Sequence, residues 1–223
     1  MPTSSTATTL IVVVPDGVPA SALASVTALA HHLAVSGTLV AKFWTKARPW
    51  HTRHLVDPGR CGNQKVAAGG QLRYLDVAGM RHAAAMSAGV RHHQWSEVTQ
   101  GTRHATPWHV WLAKHVADPA KHPLKKVKAE YQAQPRVLAM ATHNAGFGQR
   151  FPTEDLEAFQ AGAHAYATYC ALRAVCGEAL ITATGTRIAP DGPDMAKQIA
   201  YLGAVHAHLE SLDRTQRIVA LTT

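Results

Sequence analysis

The chain has 223 residues, 47% of them apolar, and a formal net charge of +8. That is enough to bury the core of one large domain or two small ones. No stretch approaches the ~18 apolar residues of a membrane span, and three cysteines (Cys61, Cys170, Cys176), an odd number without short-range pairing, argue against a disulfide framework and for a reducing cytoplasm.

The opening residues are rich in Ser, Thr and Ala and carry no Lys or Arg before Lys42, so a frayed tail is expected rather than a secretion leader. Leu10–Val14 is an apolar β run closed by Pro15-Asp16-Gly17. A helix follows with Leu23, Val26, Ala30 and Leu33 on one stripe, then a second β run from Thr38 to Trp44. From Arg48 to Gly70 no period holds, and Asp57-Pro58-Gly59 and Gly69-Gly70 predict a long loop. Leu72–His92 reads as a strand then a helix, or as one helix. Pro107–Ala117 is a short helix, and Pro123–His143 is helical with a break at Pro135. Asn144–Gly148 is a turn. Thr153–Gly177 has the pattern of one long helix, with Thr153 as N-cap and Leu156, Phe159, Ala163, Tyr166 and Cys170 as its apolar stripe. Near the end a strand over Ala179–Ile188 leads to Pro190-Asp191-Gly192. A helix follows through Met195, Ile199, Leu202, Val205 and Leu209, and then a strand over Arg217–Leu221.

The two ends therefore read as β-PDG-α-β units of similar length. The expected fold class is α+β, with ferredoxin-like βαβ units at residues 9–45 and 178–223 and a largely helical, basic insertion at 46–177 that opens with the 46–70 loop. At the level of this inferred topology the chain resembles the RNA-binding subunits of CRISPR effector complexes, without the glycine-rich loop near the C-terminus found in many of them.

Charge carries the functional signal. Between Lys42 and Arg150 lie 17 Lys/Arg against five acids, Asp57, Asp76, Glu97, Asp118 and Glu130, a formal +12, while the flanks are −4. All five tryptophans fall in this segment. Cations neutralise phosphates and flat rings stack on unpaired bases, so the expected partner is RNA or single-stranded DNA. One candidate set is Lys42, Lys46, Arg48, Arg53, Arg60 and Lys65, interleaved with Trp44, Trp50, His51 and His54. A second is Lys121, Lys125, Lys126 and Lys128, with Lys121, Lys125 and Lys128 spaced to share a helix face and track a backbone. Six to ten phosphate contacts predict a loss of affinity on the order of 10³–10⁵ between 50 and 200 mM salt.

The expected role is a nucleic-acid-binding subunit of a larger nucleoprotein complex, with other protein subunits as partners, no membrane and no cofactor. Two alternatives use the same segment. One is a histidine-dependent nuclease, with His104, His109, His115 and Lys114 as acid–base groups. The other is a structural protein of a viral or similar assembly. His206-Ala-His208 superficially resembles the histidine pair of rolling-circle nickases, with Tyr166 or Tyr169 as nucleophile, but the pair falls on a predicted helix. His51-x-x-His54 with Cys61 has only part of a zinc ligand set. No Walker-type Gly-Lys-Ser/Thr occurs, and the basic segment is too poor in acids for two-metal chemistry.

Overall fold

The computed structural model describes residues 8–18, 23, 35–146 and 151–223. Most of the opening tail, the body of the expected N-terminal helix with His31 and His32, and residues 147–150 lie outside the described residues. The protein is mixed α+β and divides into two compact units. One runs to Ala83 and adds Ala171–Asp191 and Lys197–Thr223; the other is Ala84–Cys170 with Gly192–Ala196. The described strands are β1 (Thr9–Val13), β2 (Thr38–Leu39), β3 (Phe43–Trp44), β4 (Leu55–Cys61), β5 (Gln64–Gln71), β6 (Ala179–Ile181), β7 (Arg187–Ile188) and β8 (Arg217–Thr222). The described helices are α1 (Val77–Val98), α2 (Trp108–Ala117), α3 (Leu124–Gln132), α4 (Pro135–Gly146), α5 (Leu156–Gln160), α6 (Ala163–Val175) and α7 (Met195–Ser211).

All of these strands belong to the first unit and form one mixed sheet, in the order β3-β5-β8-β1-β6-β7, with β2 also on β8 and β4 on β5. β1 runs parallel to β6 and antiparallel to β8. Ile11, Val12 and Val13 are fully buried, as are Ile218 to Leu221, so both strands are covered on both faces. That accounts for their unbroken apolar runs. Each of the buried Val, Ile and Leu side chains stabilises the fold by about 1.5–3 kcal/mol relative to exposure. Val12, Val14, Leu23, Ala68, Val219 and Leu221 share one core cluster with Val56 and Ile181. The expected strand over 38–44 changes partner midway: Thr38 and Leu39 pair with β8, Phe43 and Trp44 with β5. The expected strand over 179–188 is a hairpin, β6 and β7, turned where Thr182 and Thr186 bond across Gly185.

Residues 46–70 are not a long loop. After a 3₁₀ turn over Pro49–His54, β4 and β5 form a hairpin from Leu55↔Gly70 to Cys61↔Gln64. A two-residue Gly62-Asn63 turn closes it, with the glycine at φ +57°. The breakers that suggested a loop have places in the ladder. Asp57-Pro58-Gly59 sits on β4, which among the described strands pairs with β5 alone, and an edge strand tolerates proline. Gly69 lies where β8 crosses β5, and a Cβ there would overlap the Ile218 carbonyl oxygen. At Gly70 (φ +148°) a Cβ would stand 2.7 Å from the His54 carbonyl oxygen. Small residues in β5 let strands close on both of its edges.

The second unit is helical and packs around rings. Trp95 stacks on Phe159 (5.1 Å), Phe159 on Tyr166 (4.2 Å), and Phe151 meets Phe159 edge-on (5.9 Å). Three carboxamides clamp its loops by bonding both backbone groups of one residue: Gln134 on Thr106, Gln160 on Ala105 and Asn144 on Phe151. Pro135 opens α4, the position where a missing N–H costs nothing. The single helix expected over 153–177 is broken. Gly162, at φ +100°, cannot continue a right-handed turn and separates α5 from α6. Thr153 is the first residue of a 3₁₀ turn whose N-cap position is Pro152, and Asp155 holds that position for α5.

Candidate nucleic-acid interface

In the sheet unit the 3₁₀-turn part of the first basic set gathers around Tyr74. The segment after β3 is laced to the segment after β5: Thr45 bridges Leu75, the Lys46 N–H donates to the Tyr74 carbonyl (3.0 Å), and the Asp76 N–H donates to the Trp44 carbonyl (2.7 Å). The 3₁₀ turn over Pro49–His54 then brings two imidazoles against the phenol. His54 stacks on Tyr74 with centroids 5.3 Å apart and planes 16° apart; His51 lies 4.7 Å from the same ring. The Arg73 guanidinium sits over Tyr74 at 4.8 Å and donates from Nε to Gln71 Oε1. Trp50, 62% exposed, meets His51 edge-on and has Arg48 over its ring at 5.6 Å.

The electrostatics are one-sided. Arg53 Nε donates to His54 Nε2 (3.3 Å), a bond that requires the unprotonated imidazole nitrogen. Partial desolvation and the charges of Arg53, Arg73, His51 and Arg217 hold the His54 pKa below its ordinary value. Lys46, Arg48, Arg53, Arg60, Lys65 and Arg73 are all exposed, and none forms an ion pair among the described residues. At the hairpin tip Arg60 and Lys65 stand directly across the strands from each other. Like charges in that register destabilise a sheet. The nearby carboxylates serve backbone bonds: Asp76 accepts from Gly79, and Asp213, whose field reaches Arg73, accepts from Thr215.

Lys46 and Arg73 also line a pocket of about 410 Å³ in the same unit. Arg81 and Arg214 add two further cations, Leu72, Leu75, Leu209 and Leu212 contribute apolar wall, and Glu210 pairs with Arg81 at 3.9 Å.

The remaining sequence candidates have other places. Lys42 is half-buried among Cys176, Glu178 and Arg173, with its pKa lowered chiefly by burial. Trp44 is half-buried in β3, so it is no open stacking face. Lys125, Lys126 and Lys128 are exposed on α3 of the helical unit. Lys121 precedes that helix, its N–H bonded to Asp118, so the expected row of three is reduced to Lys125 and Lys128. Tyr166 is fully buried, holds a bond from Arg91 (3.2 Å) and has its pKa raised by burial, as a core residue would. His206 is buried, with its Nε2 3.0 Å from the Leu172 carbonyl oxygen. His109 faces Glu157 at 3.8 Å, His115 bonds the His122 carbonyl, and Lys114 covers Trp111 at 4.0 Å. No group of three or more His, Cys, Asp or Glu suited to a metal occurs among the described residues. Nor is any described helix long and apolar enough to cross a membrane.

Sequence reasoning missed Arg73, Tyr74, Arg81 and Arg214. Each is a common residue in an unremarkable local pattern; the pairing of β5 with β4 and β8 brings Arg73 and Tyr74 beside the 3₁₀ turn, and Arg81 and Arg214 join Lys46 and Arg73 only in the pocket wall. No protein-family model, no curated protein and no solved structure matches the chain.

Proposed function

We propose that the protein binds single-stranded nucleic acid, RNA or DNA, through the His51–Tyr74–His54 ring cluster and the cations around it. The observation that carries this reading is six exposed cations without ion-pair partners among the described residues, three of which, Arg48, Arg53 and Arg73, lie against the rings of Trp50, His54 and Tyr74. A self-contained surface intersperses both signs. Here the like-charged pair Arg60–Lys65 is held in register at a cost that a bound polyanion would remove. Trp50 offers a flat face at the rim, and base–aromatic stacking contributes about 1–3 kcal/mol per base.

The lysines of α3 are a second, independent electrostatic footprint on the helical unit. Two such footprints suit a subunit that follows a strand within a larger nucleoprotein complex. The three free thiols suit a reducing cytoplasm. The two ends of the chain, each a strand leading through a Pro-Asp-Gly turn, are compatible with a variant of the ferredoxin-like plan in which β6 is added beside β1.

The test is fluorescence anisotropy with a labelled single-stranded oligonucleotide across a salt series. If the six cations of the sheet unit each meet a phosphate, a slope of about 0.7 per contact predicts a loss of affinity on the order of 10²–10³ between 50 and 200 mM salt. Binding that ignores salt, or no binding at 50 mM, would overturn the reading.

A further inference from the structure

The geometry points to the pocket beside Arg73 as a seat for the terminal phosphomonoester of an oligonucleotide, together with its end nucleotide. The inference rests on the binding role proposed above and gives it a point of register.

Charge is the first argument. Lys46, Arg73, Arg81 and Arg214 line the pocket against one acid, Glu210, and Asp213 follows the lining residue Leu212. Four cations and two carboxylates leave two positive charges. An internal phosphodiester carries one negative charge, whereas a phosphomonoester carries about −1.5 to −2 at neutral pH. Two guanidiniums, Arg73 and Arg214, lack carboxylate partners among the described residues, and the guanidinium fork matches phosphate oxygens in pairs.

Shape is the second. A pocket of about 410 Å³ lies in the lower part of the range that holds small ligands, ~300–1,000 Å³. It suits one nucleotide rather than a run of chain. Leu72, Leu75, Leu209 and Leu212 give the base and sugar an apolar wall. Continuity is the third. Arg73 lines the pocket and also covers Tyr74, so a strand whose end sits in the pocket would continue past the cluster of Tyr74, His51 and His54 and the cations Arg53 and Arg73 that touch it.

The experiment measures the affinity of the full chain for one 12-residue single-stranded oligonucleotide in three forms: 5′-phosphorylated, 3′-phosphorylated and hydroxyl at both ends. One phosphorylated form is expected to bind about tenfold or more tighter than the hydroxyl form, and the favoured end names the source of the monoester. Arg214→Gln changes an exposed side chain and is expected to collapse that ratio to about one. Equal, salt-sensitive binding of all three forms would overturn the inference and leave the general binding role standing. If none of the three forms binds, the general role and this inference fail together.

Discussion

Reversing Lys65 to glutamate should move stability and binding in opposite directions. Lys65 stands directly across from Arg60 at the tip of the β4–β5 hairpin, both side chains are exposed, and neither has an acidic partner among the described residues. Lys65→Glu turns a repulsive cross-strand pair into an attractive one, which should stabilise the hairpin by roughly 0.5–1 kcal/mol. For a chain of this length that corresponds to a rise in Tm of about 1–4 °C. Binding should suffer. At ~0.7 logarithmic units per phosphate contact, each contact is worth about fivefold at 0.1 M salt relative to 1 M, so loss of one cation and gain of one anion should weaken binding roughly 25-fold. The salt slope should fall by about 1.4. Thermal unfolding followed by circular dichroism and anisotropy titrations at three salt concentrations read both quantities. A lower Tm would refute the register argument. An unchanged affinity and slope would remove the hairpin tip from the binding surface.

Gly69→Ala should destabilise the sheet unit by about 1–3 kcal/mol or more, because the added methyl meets the Ile218 backbone and not a side chain that can rotate away; urea unfolding measures it, and a neutral result would displace β8 from its place against β5. His54 should titrate below the ordinary histidine value in the free protein. The unfolded chain then takes up that proton at higher pH than the folded one, so the stability tied to this group is full above the unfolded pKa and is lost as pH falls below it. A bound phosphate would offset the field of Arg53 and Arg73, so nuclear magnetic resonance should show the His54 pKa rising when oligonucleotide is added, and a value at or above normal in the free protein would refute the clustering of charges. Cys61 is exposed and should react rapidly with a thiol reagent at pH 8, whereas Cys176, whose pKa burial pushes up to about 12, should react only on unfolding; rapid labelling of native Cys176 would contradict its burial.

The parts of the fold that were legible in the sequence are those whose pattern reflects the chain's own needs. β1 and β8 are buried on both faces and read as unbroken apolar runs. Pro135 marks the start of α4, and the helical period of 195–209 is α7. The hairpin was illegible for a physical reason. Val66-Ala67-Ala68-Gly69-Gly70 is depleted in the branched side chains that announce a strand, because three neighbouring strands close on β5 and leave no room for them. Gly162 had the opposite effect, since the apolar stripe runs past a residue whose backbone ends the turn. For the site, the exposed cations from Lys46 to Lys65 were legible from charge, while their organising ring, Tyr74, and the pocket arginines were not.

Aromatic residues interleaved with cations are an ambiguous signal because the same adjacency serves two ends. In the helical unit it is used for packing. Arg136 is buried over Trp95 at 5.3 Å and bonds Thr102 and Gln160, so its charge is held by neutral oxygens and a ring face. Lys114 likewise covers Trp111 at 4.0 Å, and Trp108 turns its edge to Tyr131. These contacts are part of the unit's packing, and a nucleic acid would have to displace them. In the sheet unit the stack is left incomplete: His51 and His54 pile on Tyr74, Arg73 lies over the same ring, and Trp50 ends the series largely in solvent. What distinguishes a binding surface from a core is how far solvent reaches the last ring and the last cation: in the sheet unit Trp50 is largely exposed, and Arg48, Arg53 and Arg73 are exposed with no carboxylate partner among the described residues.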